Sequence, residues 1–248
     1  MSLVSIITPS YKSKKFIKET LLSIQNQTFT DFEVLIVDDA SPDDSADYIE
    51  ANLPDDRFRL IRLENNLGAA EARNEALKIA NGRYIAFLDS DDLWKTEKLE
   101  RQIQFMERKN IAFSFSAYEV IDENGIIVKD KIPVPDKITK SQYLGNTIIG
   151  CLTVILDRTK FKQDIIMPNL RSSHDMALWV NLLDEIKVAH GYKDILASYR
   201  LVGTSNTANK TKAAKEVWQV YRNYLQYNRF KSSYYFIKYA FNAVLKRI

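Results

Sequence analysis

Through the first ninety-five residues, short β-branched runs and amphipathic stretches take turns, and the runs stop at a polar or acidic cluster. Leu3 to Thr8 reads as a strand stopped by Pro9, and Lys14 to Gln27 places Phe16, Ile17, Leu21, Leu22 and Ile24 at helical spacing. Phe32 to Val37 is a second strand, Ser45 to Asn52 a short helix, Phe58 to Leu63 a third strand, and Gly68 to Ala80 an Ala-rich helix. Tyr84 to Leu88, opened by the turn signal Asn81-Gly82, is the fourth strand. Strands separated by helices pair in parallel, with helices covering both faces of the sheet, so the chain is expected to be an α/β protein with a largely parallel sheet.

In such sheets ligands collect beyond the carboxyl ends of the strands. Thr8, Asp38-Asp39 and Asp89-Ser90-Asp91-Asp92 all fall at those ends. A buried strand that ends in clustered carboxylates holds charge that is unfavourable until a cation neutralises it. Hard oxygen ligands suit Mg²⁺ or Mn²⁺, which commonly bridges one or two carboxylates to substrate phosphates. The fourth strand is therefore expected to end in a metal–diphosphate site. The bland alternative is a solvated loop whose acids cap the next helix at Trp94-Lys95.

The second half changes character. Lys95 to Lys109 reads as a charged amphipathic helix, and Ala112 to Val120 with Ile126 to Val128 as a strand pair turned at Glu123-Asn124-Gly125. Ile132 to Asp136 is a Pro-rich extended linker, Cys151 to Leu156 a strand, Asp175 to Glu185 a helix and Ile195 to Leu201 a last strand. The single Cys151 excludes an internal disulfide and a cysteine-cluster metal site, and an inert buried thiol is expected. No run has the length of a membrane span, and Met1-Ser2-Leu3 lacks the basic start of a signal peptide; both fit a cytoplasmic protein. Net charge is +3, unevenly spread: from Gly203 to Ile248 nine Lys/Arg face one acid, Glu216, so the tail carries 9 − 1 = +8 and the rest 3 − 8 = −5. A basic tail on an acidic body points to an anionic surface as partner, and no nucleic-acid motif accompanies the charge.

Four separated motifs then occur in order: Val4-Ser5-Ile6-Ile7-Thr8-Pro9-Ser10-Tyr11, Val37-Asp38-Asp39-Ala40-Ser41, Ala72-Arg73-Asn74 and Asp89-Ser90-Asp91-Asp92. Together they resemble the nucleotide-sugar half of family 2 inverting glycosyltransferases of GT-A (Rossmann-like) fold. Ala112-Phe113-Ser114-Phe115, Ile149-Gly150-Cys151-Leu152-Thr153-Val154 and Met176-Ala177-Leu178-Trp179 extend the likeness to the subgroup that builds teichuronic acid and capsular or O-antigen polysaccharides. The resemblance implies one GT-A domain over residues 1–209, with a nucleotide-sugar half (1–95) and an acceptor half (96–209), followed by a basic amphipathic helical tail over 210–248.

It also implies roles. Tyr11 would stack on the base of a nucleotide-sugar donor, usually uracil, with Thr8 and Pro9 beside the base or ribose. Asp39 would accept from the uracil N–H or a ribose hydroxyl, and Arg73 would approach the base or diphosphate; its bland reading is a salt bridge to Glu71 or Glu75. Asp91 would hold Mn²⁺ or Mg²⁺, with Asp89 close to ribose and metal and Ser90 between them. The family's general base is the Asp of a Glu-Asp or Gln-Asp pair opening an acceptor-half helix. Here the pair is His174-Asp175, so Asp175 matches and His174 departs. Asp175 also has a bland reading as a helix-capping acid. Trp179, one turn on, is either core or an acceptor-stacking platform.

The implied activity is inverting transfer of a sugar from a nucleotide sugar, of UDP type, to a hydroxyl of a lipid-linked saccharide during cell-surface polysaccharide synthesis. The competing readings are a sugar nucleotidyltransferase and a non-catalytic nucleotide-sugar-binding module. The first needs a Gly-rich loop where Thr8-Pro9-Ser10-Tyr11-Lys12 stands. A nicotinamide dehydrogenase fails for want of G-x-G-x-x-G. In the tail, Ser232 to Ile248 carries Phe236, Ile237, Tyr239, Ala240 and Phe241 around much of a helix, with Lys231, Lys238, Asn242 and Lys246 on a narrow stripe. It reads either as a helix lying in a membrane interface, which would place the protein peripherally on the inner face of the cytoplasmic membrane, or as one packed on its own domain or a second subunit.

Overall fold

The computed structural model of the protein describes residues 2–203 and 210–245. The expected domain boundary near Asn209 and the tail residues Lys246 to Ile248 lie outside them. In chain order the elements are β1 (Val4–Ser10), α1 (Ile17–Gln25), β2 (Phe32–Asp38), α2 (Ser45–Ala51), β3 (Phe58–Arg62), α3 (Ala69–Ile79), β4 (Tyr84–Phe87), β5 (Leu93–Trp94) and α4 (Lys98–Lys109). The acceptor half continues with β6 (Phe113–Ile121), β7 (Ile127–Ile132), β8 (Lys137–Thr139), α5 (Lys140–Gly145), β9 (Ile155–Asp157), α6 (His174–Ile186) and β10 (Val188–Arg200). The helices α7 (Lys210–Gln219) and α8 (Arg229–Leu245) follow.

The strands form one mixed sheet in the order β3-β2-β1-β4-β9-β6-β10-β5. The first four pair in parallel, as their helical connections require. β9 enters antiparallel between β4 and β6 and so joins the two halves, and β10 returns parallel to β6. Alternate residues of each strand serve opposite faces. Val4, Ile6, Val34, Ile36, Tyr84 and Ala86 pack with α1 and α4, while Ile7, Leu35, Val37, Ile85 and Phe87 pack with α3 and α6. Each such fully buried aliphatic side chain contributes roughly 1.5–3 kcal/mol. Gly82 is needed for close approach: a Cβ there would lie 2.4 Å from Ser5 N, where β4 starts alongside β1.

Several expected boundaries shift. Cys151 to Leu156 is not one strand: a 3₁₀ turn over Cys151–Thr153 precedes β9, held by Thr153 Oγ1 donating to Gly150 O at 2.6 Å. The expected strand Ile195 to Leu201 is the second part of the longer β10, whose first part holds Gly191, Lys193 and Asp194. A Cβ at Gly191 would lie 2.0 Å from Pro135 O, so the Pro-rich linker runs directly over this strand. The helix expected from Lys95 starts at Lys98, because Leu93–Trp94 pairs with β10 instead. The reading of the acids as its caps falls with that shift. α5 was not expected, although Thr139-Lys140-Ser141-Gln142 forms a full capping box.

The tail packs on the acceptor half. Tyr221, fully buried, donates its hydroxyl to Leu144 O. Asn242 Nδ2 donates to Gly145 O at 2.9 Å, and the ring hydroxyl of Tyr235 meets Ser141 Oγ at 3.3 Å. The own-domain packing of the tail is therefore present.

Candidate active site

The carboxyl ends of β1, β2 and β4 open on one side of the sheet. The chain leaves β1 through Tyr11, 46% exposed, and Lys12, whose ammonium lies 5.4 Å from the Tyr11 ring centre. Lys12 and Ala40 both adopt left-handed backbone conformations, with φ of 52°. Such conformations in residues with a side chain cost free energy and gather at functional loops. Asp38 clamps the second loop: Ser41 Oγ donates to Oδ1 at 2.6 Å and Ser41 N to Oδ2 at 2.9 Å. Asp39 fastens a third: its oxygens accept from Leu67 N at 2.7 Å and Gly68 N at 2.8 Å. Gly68, with φ of 92°, then turns the chain into α3.

Thr8 offers no exposed side-chain surface at this opening. It is fully buried within β1, its hydroxyl enclosed, and Pro9 is buried too. Residues inside a parallel strand covered on both faces have no free side, so the first accessible ring beyond β1 is that of Tyr11.

α3 carries Arg73 into the site. Its guanidinium ion-pairs with Asp89 rather than Glu71 or Glu75, and Nη1 donates to His174 Nε2 at 2.7 Å. Burial opposes the Arg73 charge, but Asp89 and Asp175 outweigh it and hold its pKa above the ordinary range. Arg73 Nε remains a buried donor without a partner. A guanidinium only donates, so His174 must present an unprotonated Nε2. Burial and then Arg73 push the His174 pKa down, consistent with a neutral ring.

The acids after β4 differ from one another. Asp89 is half-exposed. Burial, then the neighbouring Asp89, pushes Asp91 up to about 6. Burial, then Asp91 and Asp89, pushes Asp92 further above the carboxylate range. Sequence reasoning missed the residue that organises them, Arg200 at the end of β10. Its backbone N–H donates to Asp92 Oδ1 at 2.8 Å, its Nε to Asp91 O at 2.8 Å and its Nη2 to Glu19 Oε2 at 2.6 Å. A lone arginine ending a hydrophobic strand was the available signal.

The donor set fits a divalent ion. Asp89 and Asp91 offer hard oxygens, and burial with the neighbouring Asp89 raises the pKa of Asp91, a cost that a bound cation would relieve. Among the described residues no three His, Cys, Asp or Glu side chains form a ready metal cage. Two carboxylates are as many as Mg²⁺ commonly takes from a protein, the rest of its shell coming from substrate phosphates and water.

α6 closes the site from the acceptor half. It follows Ser173, again left-handed with φ of 54°, and places His174 and Asp175 in its first turn. Asp175 acts electrostatically on Arg73, Tyr143 and Cys151, so its carboxylate lies on the Arg73 side of the molecule. Trp179 takes no part: it is fully buried, with ring centres 5.7 Å from Phe87 and 5.2 Å from Phe113, and offers no face to an acceptor. Burial raises the Cys151 thiol well above its ordinary pKa, which leaves it inert.

Comparison with known proteins shows the family and the fold. Residues 5–163 match the family model "Glycosyl transferase family 2". The chain is 45% identical over 247 residues to TuaG of Bacillus subtilis, a glycosyltransferase assigned to teichuronic acid biosynthesis, covering 99% of this chain and 98% of that protein. It is 39% identical over 245 residues, 98% of this chain and 94% of the other, to WfgD of Escherichia coli, a UDP-Glc:alpha-D-GlcNAc-diphosphoundecaprenol beta-1,3-glucosyltransferase. Among solved structures, S. aureus TarS 1-349 in complex with UDP-GlcNAc has a TM-score of 0.71 at 22% identity, covering 97% of this chain and 72% of that one. The mannosyltransferase PcManGT of Pyrobaculum calidifontis, in complex with GDP-Man and Mn²⁺, has a TM-score of 0.72 at 16% identity, covering 98% and 73%. These two likenesses establish the GT-A fold. On the family match and the relatives' identity over nearly their whole length, the chain belongs to glycosyl transferase family 2.

Proposed function

We propose that the protein transfers a sugar, with inversion, from a UDP-sugar to a hydroxyl of a lipid-linked saccharide, and that Asp175 is the base. One observation carries this: Asp89, Arg73 and His174-Asp175 form a continuous polar line from the nucleotide-sugar half to the acceptor half. Tyr11 stacks on the base. Asp39 has lone pairs beyond those used by Leu67 and Gly68, and one accepts the uracil N–H or a ribose hydroxyl. Arg73, with its unpartnered Nε, meets the diphosphate, and Ser90 lies beside it.

Asp89 and Asp91 would hold a divalent ion, which when bound would stabilise the charge that gathers on the departing nucleoside diphosphate. Inverting transfer is a single displacement at the anomeric carbon, in which the acceptor hydroxyl loses its proton as it attacks. Asp175 takes that proton. His174 holds the guanidinium of Arg73 through a neutral Nε2, which fixes the geometry between leaving group and base. The relatives named for UDP-Glc and GlcNAc-diphosphoundecaprenol support the donor and acceptor classes.

Asp175→Asn is expected to lower the transfer rate by about 10²–10⁴-fold, while UDP-sugar binding with Mn²⁺, measured by calorimetry, stays near normal. Turnover close to that of the unaltered protein would remove Asp175 from the role.

A further inference from the structure

We propose that α8 docks the protein on an anionic lipid surface through an outward stripe of Phe230, Tyr234, Ile237 and Phe241. These side chains are 90%, 53%, 67% and 65% exposed. Their spacing of four, three and four residues puts them on one line of the helix. The opposite side of α8 is already packed: Ser232 is buried, and Tyr235, Phe236 and Tyr239 lie against the core. A helix that is merely covering a core has a polar outer face, whereas α8 is apolar on both.

Charge selects the occupant. Arg229, Lys231 and Lys238 stand on the flanks of the stripe, and no acid occurs between 229 and 245. Lys238 Nζ donates to the Tyr234 hydroxyl at 2.5 Å and so lies beside the stripe. A groove of about 640 Å³ runs alongside, bordered by Lys137, Ile138, Ile237, Lys238 and Phe241. Aromatic rings between lysines suit a headgroup layer, where the rings enter the apolar boundary and the ammonium groups meet phosphates. A second copy paired on the same patch would bring cations together with no acid on either α8 to neutralise them. No described helix is long and apolar enough to cross a membrane, so the contact lies in the surface plane.

The placement also serves the acceptor, a point that rests on the proposed lipid-linked substrate. Tyr143 of α5 feels the charge of Asp175, while Leu144 and Gly145 of the same helix accept from Tyr221 and Asn242. The docked stripe is thus one helix removed from the base.

The test uses the full chain and sedimentation with vesicles of phosphatidylcholine alone or mixed with phosphatidylglycerol. The unaltered protein is expected to sediment with the mixed vesicles, less so at high salt. The triple variant Phe230→Ser, Ile237→Ser, Phe241→Ser is expected to lose about 100-fold in partitioning. Its circular dichroism and its UDP binding with Mn²⁺ should stay unchanged. A second variant, Lys231→Glu with Lys238→Glu, keeps the apolar stripe and should lose the preference for phosphatidylglycerol. The proposal is overturned if the unaltered protein ignores both vesicles, binds them equally, or binds as well with the serines in place. Light scattering showing a dimer that the serine variant breaks, with no vesicle binding, would assign the stripe to a second copy instead. UDP binding is read separately, so failure of docking leaves the glycosyltransferase reading standing, and the reverse.

Discussion

Lys98 lies in the first turn of α4 with no exposed surface. Its ammonium donates to Gln102 Oε1 at 2.7 Å and Thr153 O at 3.2 Å and sits 5.1 Å from the Trp94 ring centre. Among the described residues it forms no ion pair, and burial pushes its pKa down to about 7. The unfolded chain restores it to about 10.4. Between these values the unfolded state binds the extra proton, so stability rises with pH. Below about 7 the lysine is charged in both states and the penalty is complete; above about 10.4 it is neutral in both and the penalty is gone. The interval corresponds to roughly 4–5 kcal/mol at about 1.36 kcal/mol per unit. Lys98→Met removes the penalty but leaves Gln102 Oε1 without a donor, at about 1–3 kcal/mol. The variant is therefore expected to be more stable by about 2 kcal/mol at pH 7, the gain shrinking by up to about 1.4 kcal/mol per pH unit and reversing between about pH 8 and 9. Urea unfolding of both proteins across this range reads the difference directly. The raised tyrosines Tyr84 and Tyr118 are common to both and cancel. Two parallel stability curves would show that Lys98 keeps its proton in the folded state as it does in the unfolded one, and would refute the argument.

Arg200→Met removes a buried charge that holds the Asp91 carbonyl and Glu19; about 3 kcal/mol of stability should be lost, with weaker UDP and Mn²⁺ binding, and calorimetry that found both unchanged would deny its organising role. Gly82→Ala forces a methyl to 2.4 Å from Ser5 N, so denaturation should show a loss of about 1–3 kcal/mol; an unchanged midpoint would mean that β1 and β4 separate freely. His174→Gln keeps an acceptor for Arg73 and should hold kcat within about threefold, whereas His174→Leu leaves Nη1 only its long 3.4 Å bond to Ala69 O and should lower kcat by about ten- to a hundredfold. Equal rates in these two variants would make His174 a bystander.

The parallel half of the fold was legible because its signals are local. β1 to β4 each carry a run of apolar or β-branched residues, and the helices between them show their own spacing. The segment from Cys151 misled because Leu152, Val154, Ile155 and Leu156 have strand composition, while a hydroxyl bond from Thr153 to Gly150 bends the chain first. β10 hid its first part behind Gly191 and Lys193, which meet the overlying linker, and Asp194, which pairs with Arg101 of α4. Tertiary contact overrode local preference there.

The site divides the same way. That Asp89 and Asp91 gather at a strand end followed from position along the chain, since a parallel sheet puts every carboxyl end on one side. What Arg73 does could not follow from position. Its neighbours Glu71 and Glu75 offered local partners, yet its hydrogen bond runs to His174, 101 residues away. Arg200 meets Asp92 across 108 residues. Neither pairing leaves a periodic trace, because each is set by how β9 and β10 join the second half to the first. The residue types still carried information. An arginine with 5% of its side chain exposed needs an anion, and the carboxylates at the end of β4 need a cation, so once burial is known the two requirements together single out the pair even where spacing does not. In the proposed reading Asp89 would be shared between Arg73 and a divalent ion, and the neutral Nε2 of His174 would keep one guanidinium nitrogen anchored while the other turned to a bound diphosphate.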